Sequence, residues 1–179
     1  MNSKQTPSTP LVGSNLDRLV HAWLGRFTGG LSPASMMLAY LDWLMHLAYS
    51  PAKQAQIAEK AVRKAVRLSL YLQRCTCEGD SAPCIEPLPQ DRRFAGEAWQ
   101  RWPYNLYWQS FLLAQQWWHN ATSGVQGVSR RHDEFVSFAA RQWLDIFSPS
   151  NYIATNPEIL QATVEQGGRN LVRGAQYLF

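Results

Sequence analysis

Hydrophobic residues recur at helical spacing from the first apolar stretch of the chain onward. In residues 15–28 they fall at positions i, i+3, i+4, i+7, i+8 and i+11, which places them on one side of an amphipathic helix. The pair Gly29-Gly30 is predicted to end this helix, because glycine accepts the left-handed conformation common at helix C-termini. The apolar stripe consists of Leu16, Leu19, Val20, Trp23, Leu24 and Phe27.

Two Ser-Pro pairs predict the starts of the next two helices, because serine is a favoured N-cap and proline a favoured first helical residue. Ser32-Pro33 begins a helix that runs to Tyr49 and is apolar on nearly all sides. Such a helix is either buried on most sides or in contact with a partner or a lipid-like phase. Ser50-Pro51 begins the third helix. Over 51–74 its apolar side consists of Ile57, Ala58, Ala61, Val62, Ala65, Leu68 and Leu72.

Residues 75–90 are the best candidate for a linker, because three prolines and one glycine interrupt the helical pattern there. This Pro- and Cys-rich loop divides the chain into two helical segments, about 15–74 and 91–179. Residues 1–13 are polar and are predicted to form a disordered leader. The predicted order is therefore a leader, a short helical module over 14–74, the linker, and a second helical region.

The second segment repeats the helical pattern. An aromatic-rich helix is expected near 104–120, and a further helix follows the N-cap Ser129 and runs to about Phe147. Asn156 and Pro157 supply the cap and the first residue of a last helix. No stretch alternates apolar and polar residues with the period of a strand, so the fold class is all-α. Breaks are expected at Gly124, Gly127 and Gly167-Gly168.

Composition indicates a packed protein. Hydrophobic residues make up 46% and charged residues 17% of the chain, which is too apolar for disorder. The net charge of the chain is +4, and its sequence lacks the dense Lys/Arg stripe of a dedicated nucleic-acid binder. No apolar run is long enough to predict a transmembrane segment, and the polar start shows no secretion signal. A cytoplasmic protein is expected.

The third predicted helix is strongly basic. Lys53, Lys60, Arg67 and Arg74 are spaced by seven residues and are predicted to line one face. That face is either a solvated surface or a contact for an anionic surface. If the face is a contact for an anionic surface, replacing the four cations with glutamate is expected to weaken association of the chain with anionic vesicles. If the face is only solvated, this association should not change. Trp43, on the apolar helix before it, is predicted to be a further surface residue that meets a partner.

The sequence contains no recognisable catalytic motif. It lacks the Gly-x-Ser-x-Gly or Gly-x-Cys-x-Gly nucleophile elbow, a P-loop, a dinucleotide fingerprint and a His-Glu-x-x-His zinc motif. Cys75, Cys77 and Cys84 do not have the spacing of a zinc site, and no histidine lies in their loop. No catalytic residue, cofactor or metal is therefore predicted. The four histidines fall on four different predicted helices, as surface or boundary residues: His21, His46, His119 and His132.

Short motifs follow one another in a characteristic order along both segments. In the second segment they are Asp91-Arg92-Arg93-Phe94, Trp99 with Pro103, Gln109-Ser110-Phe111-Leu112-Leu113, Ser148-Pro149-Ser150-Asn151-Tyr152 leading to Thr155-Asn156-Pro157-Glu158, and Gly167-Gly168-Arg169-Asn170-Leu171-Val172-Arg173-Gly174. In the first segment they are Gly29-Gly30-Leu31-Ser32-Pro33, Tyr40, Asp42-Trp43, His46-Leu47 and Ser50-Pro51-Ala52-Lys53-Gln54. With these motifs the chain resembles the N-terminal region of bacterial polyhydroxyalkanoate (poly-3-hydroxybutyrate) synthases. The first segment is similar to a short extra module found on a subset of them.

The resemblance implies a place in polyester synthesis. Members of the family are acyltransferases that polymerise (R)-3-hydroxyacyl-CoA into polyester granules. Their catalytic cysteine, histidine and aspartate belong to an α/β-hydrolase domain that follows the region matched here. No such domain is expected within 1–179, so the resemblance carries over no catalytic residue. It implies partners instead, namely the catalytic domain or full-length synthase, the granule surface and a second copy of the chain.

Three hypotheses follow. The chain is an interaction module that docks on a synthase, its own copy or a granule. Alternatively it is a fragment of a full synthase, in which case the enzyme label belongs to the parent and this polypeptide is inactive alone. The third hypothesis, independent of the family, is a basic helical protein that binds nucleic acid through the helix over 53–74.

Overall fold

The computed structural model describes residues 12–27, 32–78 and 82–177. Within these ranges it contains seven α-helices and no strand, which confirms the all-α prediction. The helices are α1 (Val12–Phe27), α2 (Pro33–Ala48), α3 (Pro51–Gln73), α4 (Tyr104–Thr122), α5 (Arg130–Ile146), α6 (Pro157–Glu165) and α7 (Arg169–Gln176). A π-helical turn, Arg74–Glu78, extends α3, and 3-10 turns lie at Glu97–Gln100 and Pro149–Asn151.

Parts of three sequence predictions lie outside the described residues. The predicted leader over 1–13 is described only at Val12 and Gly13, and both belong to α1. The glycine pair expected to end α1 is not among the described residues. The linker over 75–90 is described except for 79–81.

Polar caps begin two helices as predicted. The Ser129 hydroxyl accepts a hydrogen bond from the His132 amide at 3.3 Å and caps α5. The Asn156 side chain accepts from the amides of Glu158 at 3.0 Å and Ile159 at 3.2 Å and caps α6. These bonds satisfy N–H groups that have no partner inside the helix.

The Ser-Pro starts are confirmed in position but not in capping chemistry. α2 and α3 begin at Pro33 and Pro51, yet neither preceding serine caps through its side chain. Ser50 instead donates its hydroxyl to the carbonyl of His46 at 2.7 Å, at the end of α2. Both helices therefore begin at proline without a side-chain cap, and the fixed φ of proline suits the first helical position.

The packing joins the two halves of the chain. α5 packs against both α2 and α4, and α3 packs along α4 and also contacts α2. α6 packs on the 3-10 turn at Glu97–Gln100 and on α7. Gly167 and Gly168, with φ of 57° and 82°, separate α6 from α7 as predicted. The division into a module over 14–74 and a region over 91–179 stays a prediction, and the two segments share a contact surface.

The core contains two hydrophobic clusters. In the first, Phe94 contacts the ring of Trp99 at 5.0 Å, edge to face, and lies 5.8 Å from the ring of Trp108. Phe111 and Leu112 complete this aromatic cluster. The second cluster joins α2 to α5 and the turn before it, and consists of Ala39, Trp43, Val125 and Val136.

α3 presents to α4 only part of its predicted apolar side. Ile57, Ala61 and Leu68 are half-buried, whereas Val62 remains exposed. Lysines alternate with the apolar residues on the packed side. Because a lysine can cover a neighbouring helix with its methylene stem and still reach a polar acceptor, this side packs without being uniformly apolar.

Candidate functional site

Two of the four cations predicted to line a face of α3 are held by the C-terminal end of α4. The ammonium group of Lys53 donates to the carbonyl of Ser123 at 2.9 Å. The ammonium group of Lys60 donates to the side-chain oxygen of Asn120. Both lysines therefore position α3 on α4: the backbone carbonyl at the helix C-terminus attracts the cation of Lys53, and the side-chain amide oxygen of Asn120 accepts from Lys60.

The other two cations, Arg67 and Arg74, lie beyond this contact. A spacing of seven residues drifts by about 20° per heptad on a straight helix, so three heptads rotate the side chain by about 60°. Arg67 is accordingly turned toward the outer edge of the α3–α4 boundary, where it is exposed. Arg74 is half-buried. The predicted single face of four cations is thus divided between a helix contact and a surface.

Two neighbouring depressions lie along this surface. The α3 groove is an open channel of about 910 Å³ with an apolar floor, a wall from the 82–84 loop, and a basic rim. The cationic cleft, about 280 Å³, lies between α3 and α4. The α3 groove is lined by Val62, Arg63, Val66, Arg67, Leu70, Gln73, Arg74, Pro83 and Cys84. The cationic cleft is lined by Lys60, Arg63, Lys64, Arg67, Gln116 and Asn120.

The cations of α3 repel one another. Burial is the main cause that lowers the pKa of Lys64, and the charges of Arg67, Lys60 and Arg63 lower it further. The pKa of Lys53 is also lowered by burial and by the charge of Lys60. This repulsion among the lysines and arginines of α3 is not relieved where few acidic side chains lie nearby. The ion pair nearest the cleft joins Arg63 to Glu59 at 3.6 Å, within one turn of α3.

Trp43, predicted as a surface residue, is buried. Only 8% of it is exposed, and its ring lies in the cluster between α2 and α5. Its indole N–H donates to the carbonyl of Ala121 at 3.1 Å, at the end of α4. This finding corrects the expectation that Trp43 is a surface residue. A tryptophan suits this position because it fills a core while its N–H satisfies a helix carbonyl.

The structure brings together two histidines that the sequence analysis treated as separate. Asp42 on α2 lies between His46, at 3.0 Å, and His132 of α5, at 2.6 Å. The Ser129 amide also donates to Asp42, at 3.4 Å. Gly127 leaves room for the His46 ring, which a side chain there would strike. The only sequence signal was the i, i+4 spacing of Asp42 and His46, because His132 lies 90 residues away.

Replacing Asp42 with asparagine is expected to lower the melting temperature near neutral pH. The hydrogen bond from His132 is the main cause that lowers the pKa of Asp42 below its ordinary value of 3.8. A carboxylate with a lowered pKa stabilises the fold fully above its unfolded-state pKa, and this stabilisation is lost as the pH falls through the folded-state value. Thermal unfolding of both proteins across acidic pH should therefore show a difference that shrinks below about pH 3.8. Asp17→Asn, on α1, is the control, and a difference independent of pH would contradict the linkage.

Residues of the second-segment motifs have structural roles. Arg93 lies between two carboxylates, with hydrogen bonds of 2.7 Å to Asp91 and 2.8 Å to Asp145 of α5. Its guanidinium also lies over the ring of Phe111 at 5.3 Å. The pKa of Asp91 is lowered chiefly by this hydrogen bond from Arg93. Gln109, completely buried, binds the backbone of the 84–85 loop. These contacts connect α4, α5 and the linker.

The cysteines do not form a reactive cluster. Cys75, Cys77 and Cys84 are free thiols, and burial raises the pKa of Cys84, which favours the neutral thiol. No group of three or more metal-binding side chains comes together within the described ranges. In the same part of the chain, no helix has both the length and the apolarity to cross a bilayer.

Large apolar side chains remain exposed along several helices, among them α1, α2 and α5. On α1, Leu16 and Leu19 are 64% and 68% exposed. Contiguous apolar surface of this kind usually marks a contact site in a soluble protein. On these three helices the exposed apolar side chains include Leu16, Leu19, Val20 and Trp23 on α1, Met37, Leu38, Leu41, Leu44 and Met45 on α2, and Phe138, Trp143 and Ile146 on α5.

Curated relatives match different lengths of this chain. A poly(3-hydroxyalkanoate) polymerase of Methylorubrum extorquens is 39% identical over 97 residues, which cover 54% of this chain and 16% of the relative. A poly(3-hydroxyalkanoate) polymerase subunit of Cupriavidus necator is 31% identical over 155 residues, 86% of this chain and 25% of the relative. The chain thus spans a quarter or less of the length of these relatives. No solved structure matches it significantly.

Two family models match this chain, one in each helical segment. Residues 13–53 match the family described as poly-beta-hydroxybutyrate polymerase N terminal. Residues 90–179, half of the chain, match the family described as poly-beta-hydroxybutyrate polymerase (PhaC) N-terminus. Because this second match covers half of the chain, the chain belongs to this family of polymerase N-terminal regions.

Proposed function

We propose that this chain is the non-catalytic N-terminal part of a polyhydroxyalkanoate synthase in the cytoplasm, and that its exposed helix faces attach the enzyme to the polyester granule. Membership in the polymerase N-terminal family supports the synthase context. The absence of a nucleophile elbow from the sequence supports a role other than acyl transfer. In this proposal the polymerisation itself belongs to a catalytic domain that this chain assists.

The exposed apolar stripe of α1 is the observation that carries the proposal. Leu16, Leu19 and Val20 are all exposed on one side of this helix. Arg18 and His21 supply polar groups on the opposite side. A helix with one apolar and one polar side is suited to lie at the boundary between water and an apolar phase, with its apolar side immersed. A polyester granule offers such a boundary.

Replacing Leu16 and Leu19 together with aspartate is expected to reduce binding to amorphous poly-3-hydroxybutyrate granules at least about ten-fold. Burying one leucine contributes roughly 1.5–3 kcal/mol, so the loss of two exceeds that factor. Co-sedimentation of the purified chain with washed granules measures the bound fraction.

A matched control removes two exposed apolar side chains from other helices. Val164 on α6 and Val172 on α7 are both exposed. The double variant Val164→Asp/Val172→Asp carries the same added charge and is expected to bind granules as the parent does. Equal binding by the α1 variant and the parent would refute attachment through α1.

A second candidate role is contact with the catalytic domain or with a second copy of the chain. The exposed aromatic residues of α5, Phe138 and Trp143, favour it because they lie on a different helix from the α1 stripe. Light scattering after size-exclusion chromatography tests the self-contact. A Trp143→Asp variant should shift a dimer to monomer without changing granule binding.

A further inference from the structure

The α3 groove and the cationic cleft are two parts of one amphiphilic surface. They share Arg63 and Arg67, which form the boundary between the apolar floor and the basic cleft. Val62, Val66 and Leu70 follow one another at i, i+4 and i+8 along the floor and are 62%, 52% and 56% exposed. At 1.5 Å per residue this row is about 12 Å long, which matches an extended acyl chain of roughly ten carbons.

The cleft contains positive charge that the described residues do not neutralise. Lys64 and Arg67 make no hydrogen bond or ion pair with any described residue. Across the cleft, α4 contributes the neutral amides of Gln116 and Asn120, and Asn120 is occupied by Lys60. Among the described residues, neither depression is lined by a carboxylate. An anion placed in the cleft would therefore relieve repulsion among several cations at once.

The wall of the α3 groove is also suited to an apolar ligand. Pro83 and Cys84 form it, and the Cys84 thiol stays neutral because burial raises its pKa. A neutral thiol behaves as a small hydrophobic group. The loop that carries it is fixed by Gln109, so the wall is part of the folded structure.

From this juxtaposition we propose that α3 binds an anionic phospholipid, with the phosphate in the cationic cleft between α3 and α4 and one acyl chain along the α3 groove. A zwitterionic lipid would bring the positive charge of its own headgroup into a cleft that is already cationic. A free phosphate would leave the apolar floor of the α3 groove exposed. The lipid is favoured because its two parts match the two adjoining depressions in charge and in polarity. This site is separate from α1 and does not depend on attachment to granules.

Calorimetric titration of the chain with monomeric dihexanoyl phosphatidylglycerol tests the proposal. This lipid is expected to bind more tightly than dihexanoyl phosphatidylcholine, which has the same chains, and more tightly than inorganic pyrophosphate, which has none. The double variant Lys64→Gln/Arg67→Gln should weaken phosphatidylglycerol binding at least about ten-fold, since a cation near an anionic lipid contributes roughly five-fold. Val66→Ser/Leu70→Ser should weaken lipid binding and leave pyrophosphate binding unchanged.

The control variant removes the same kind of charge elsewhere. Arg131 on α5 and Arg169 on α7 are exposed, and Arg131→Gln/Arg169→Gln should bind the lipid as the parent does. Equal binding of the two lipids would overturn the proposal, as would equal losses in the two charge variants. Pyrophosphate that binds as tightly as phosphatidylglycerol would assign the cleft to a soluble phosphate and overturn it too. Leu16→Asp/Leu19→Asp should not affect this titration, so failure here is distinguishable from failure of granule attachment.

Discussion

Replacing Trp99 with alanine is expected to lower the free energy of unfolding by about 3–5 kcal/mol, the range for removal of a large aromatic residue from a core. Trp99 is completely buried, and its ring meets Phe94 at 5.0 Å and Tyr104 at 6.5 Å, both edge to face. Its backbone carbonyl also accepts the indole N–H of Trp108 at 3.1 Å. The cavity would open in the centre of the aromatic cluster. Urea unfolding followed by circular dichroism measures the loss.

The exposed Trp143 provides a matched control for this substitution. It is 64% exposed on α5, so Trp143→Ala should change the free energy of unfolding by about 0.5 kcal/mol or less. Similar losses in the two variants would show that the aromatic cluster is not the centre of stability. Because α6 packs on the turn that contains Trp99, the Trp99 variant should also loosen α6.

Replacing Gln109 with leucine is expected to destabilise the chain by about 3 kcal/mol, although leucine has a similar volume. The side-chain oxygen of Gln109 accepts from the amides of Cys84 at 2.8 Å and Ile85 at 2.9 Å. Its amide group donates to the carbonyl of Ile85 at 2.9 Å. Leucine would leave three backbone groups without these partners, at roughly 1–3 kcal/mol each, and water would partly replace them in a half-buried loop.

Amide hydrogen exchange gives this prediction a local measurement. The amides of Cys84 and Ile85 should exchange faster in Gln109→Leu, because their protecting acceptor is gone. Gln142→Leu, an exposed position on α5, should leave both exchange and stability close to the parent. Unchanged exchange at Cys84 and Ile85 would mean that the loop is held by other contacts. Loss of the loop would also remove one wall of the α3 groove and should weaken lipid binding.

Much of the secondary structure could be predicted from local chemistry. Pro33 and Pro51 begin helices, Ser129 and Asn156 cap them, and the pair Gly167-Gly168 separates two of them, as expected. Each of these effects acts within one turn of backbone, so neighbouring residues are sufficient to reveal it. The cap expected at Ser50 was wrong because its hydroxyl has a competing acceptor four residues earlier.

The candidate surface could be predicted only in part. The basic character of α3 was visible in the sequence, but the sharing of its cations between α4 and solvent was not. Lys53 and Lys60 reach acceptors at the C-terminal end of α4, in Ser123 and Asn120, that lie 70 and 60 residues away. Trp43 was assigned to the surface because α2 is apolar on nearly all sides, and such a helix does not reveal which side packs.

By itself, the sequence determined the helical class, the helix starts and the membership in a polymerase N-terminal family, because these depend on local periodicity and on the order of short motifs. Only the tertiary structure decided which surfaces are buried, since burial depends on contacts between residues far apart in the chain. Asp42 meets His132 across 90 residues, and Gln109 meets Ile85 across 24. The same packing turns Trp43 inward and leaves Val62, Val66 and Leu70 facing solvent beside the side chain of Arg67.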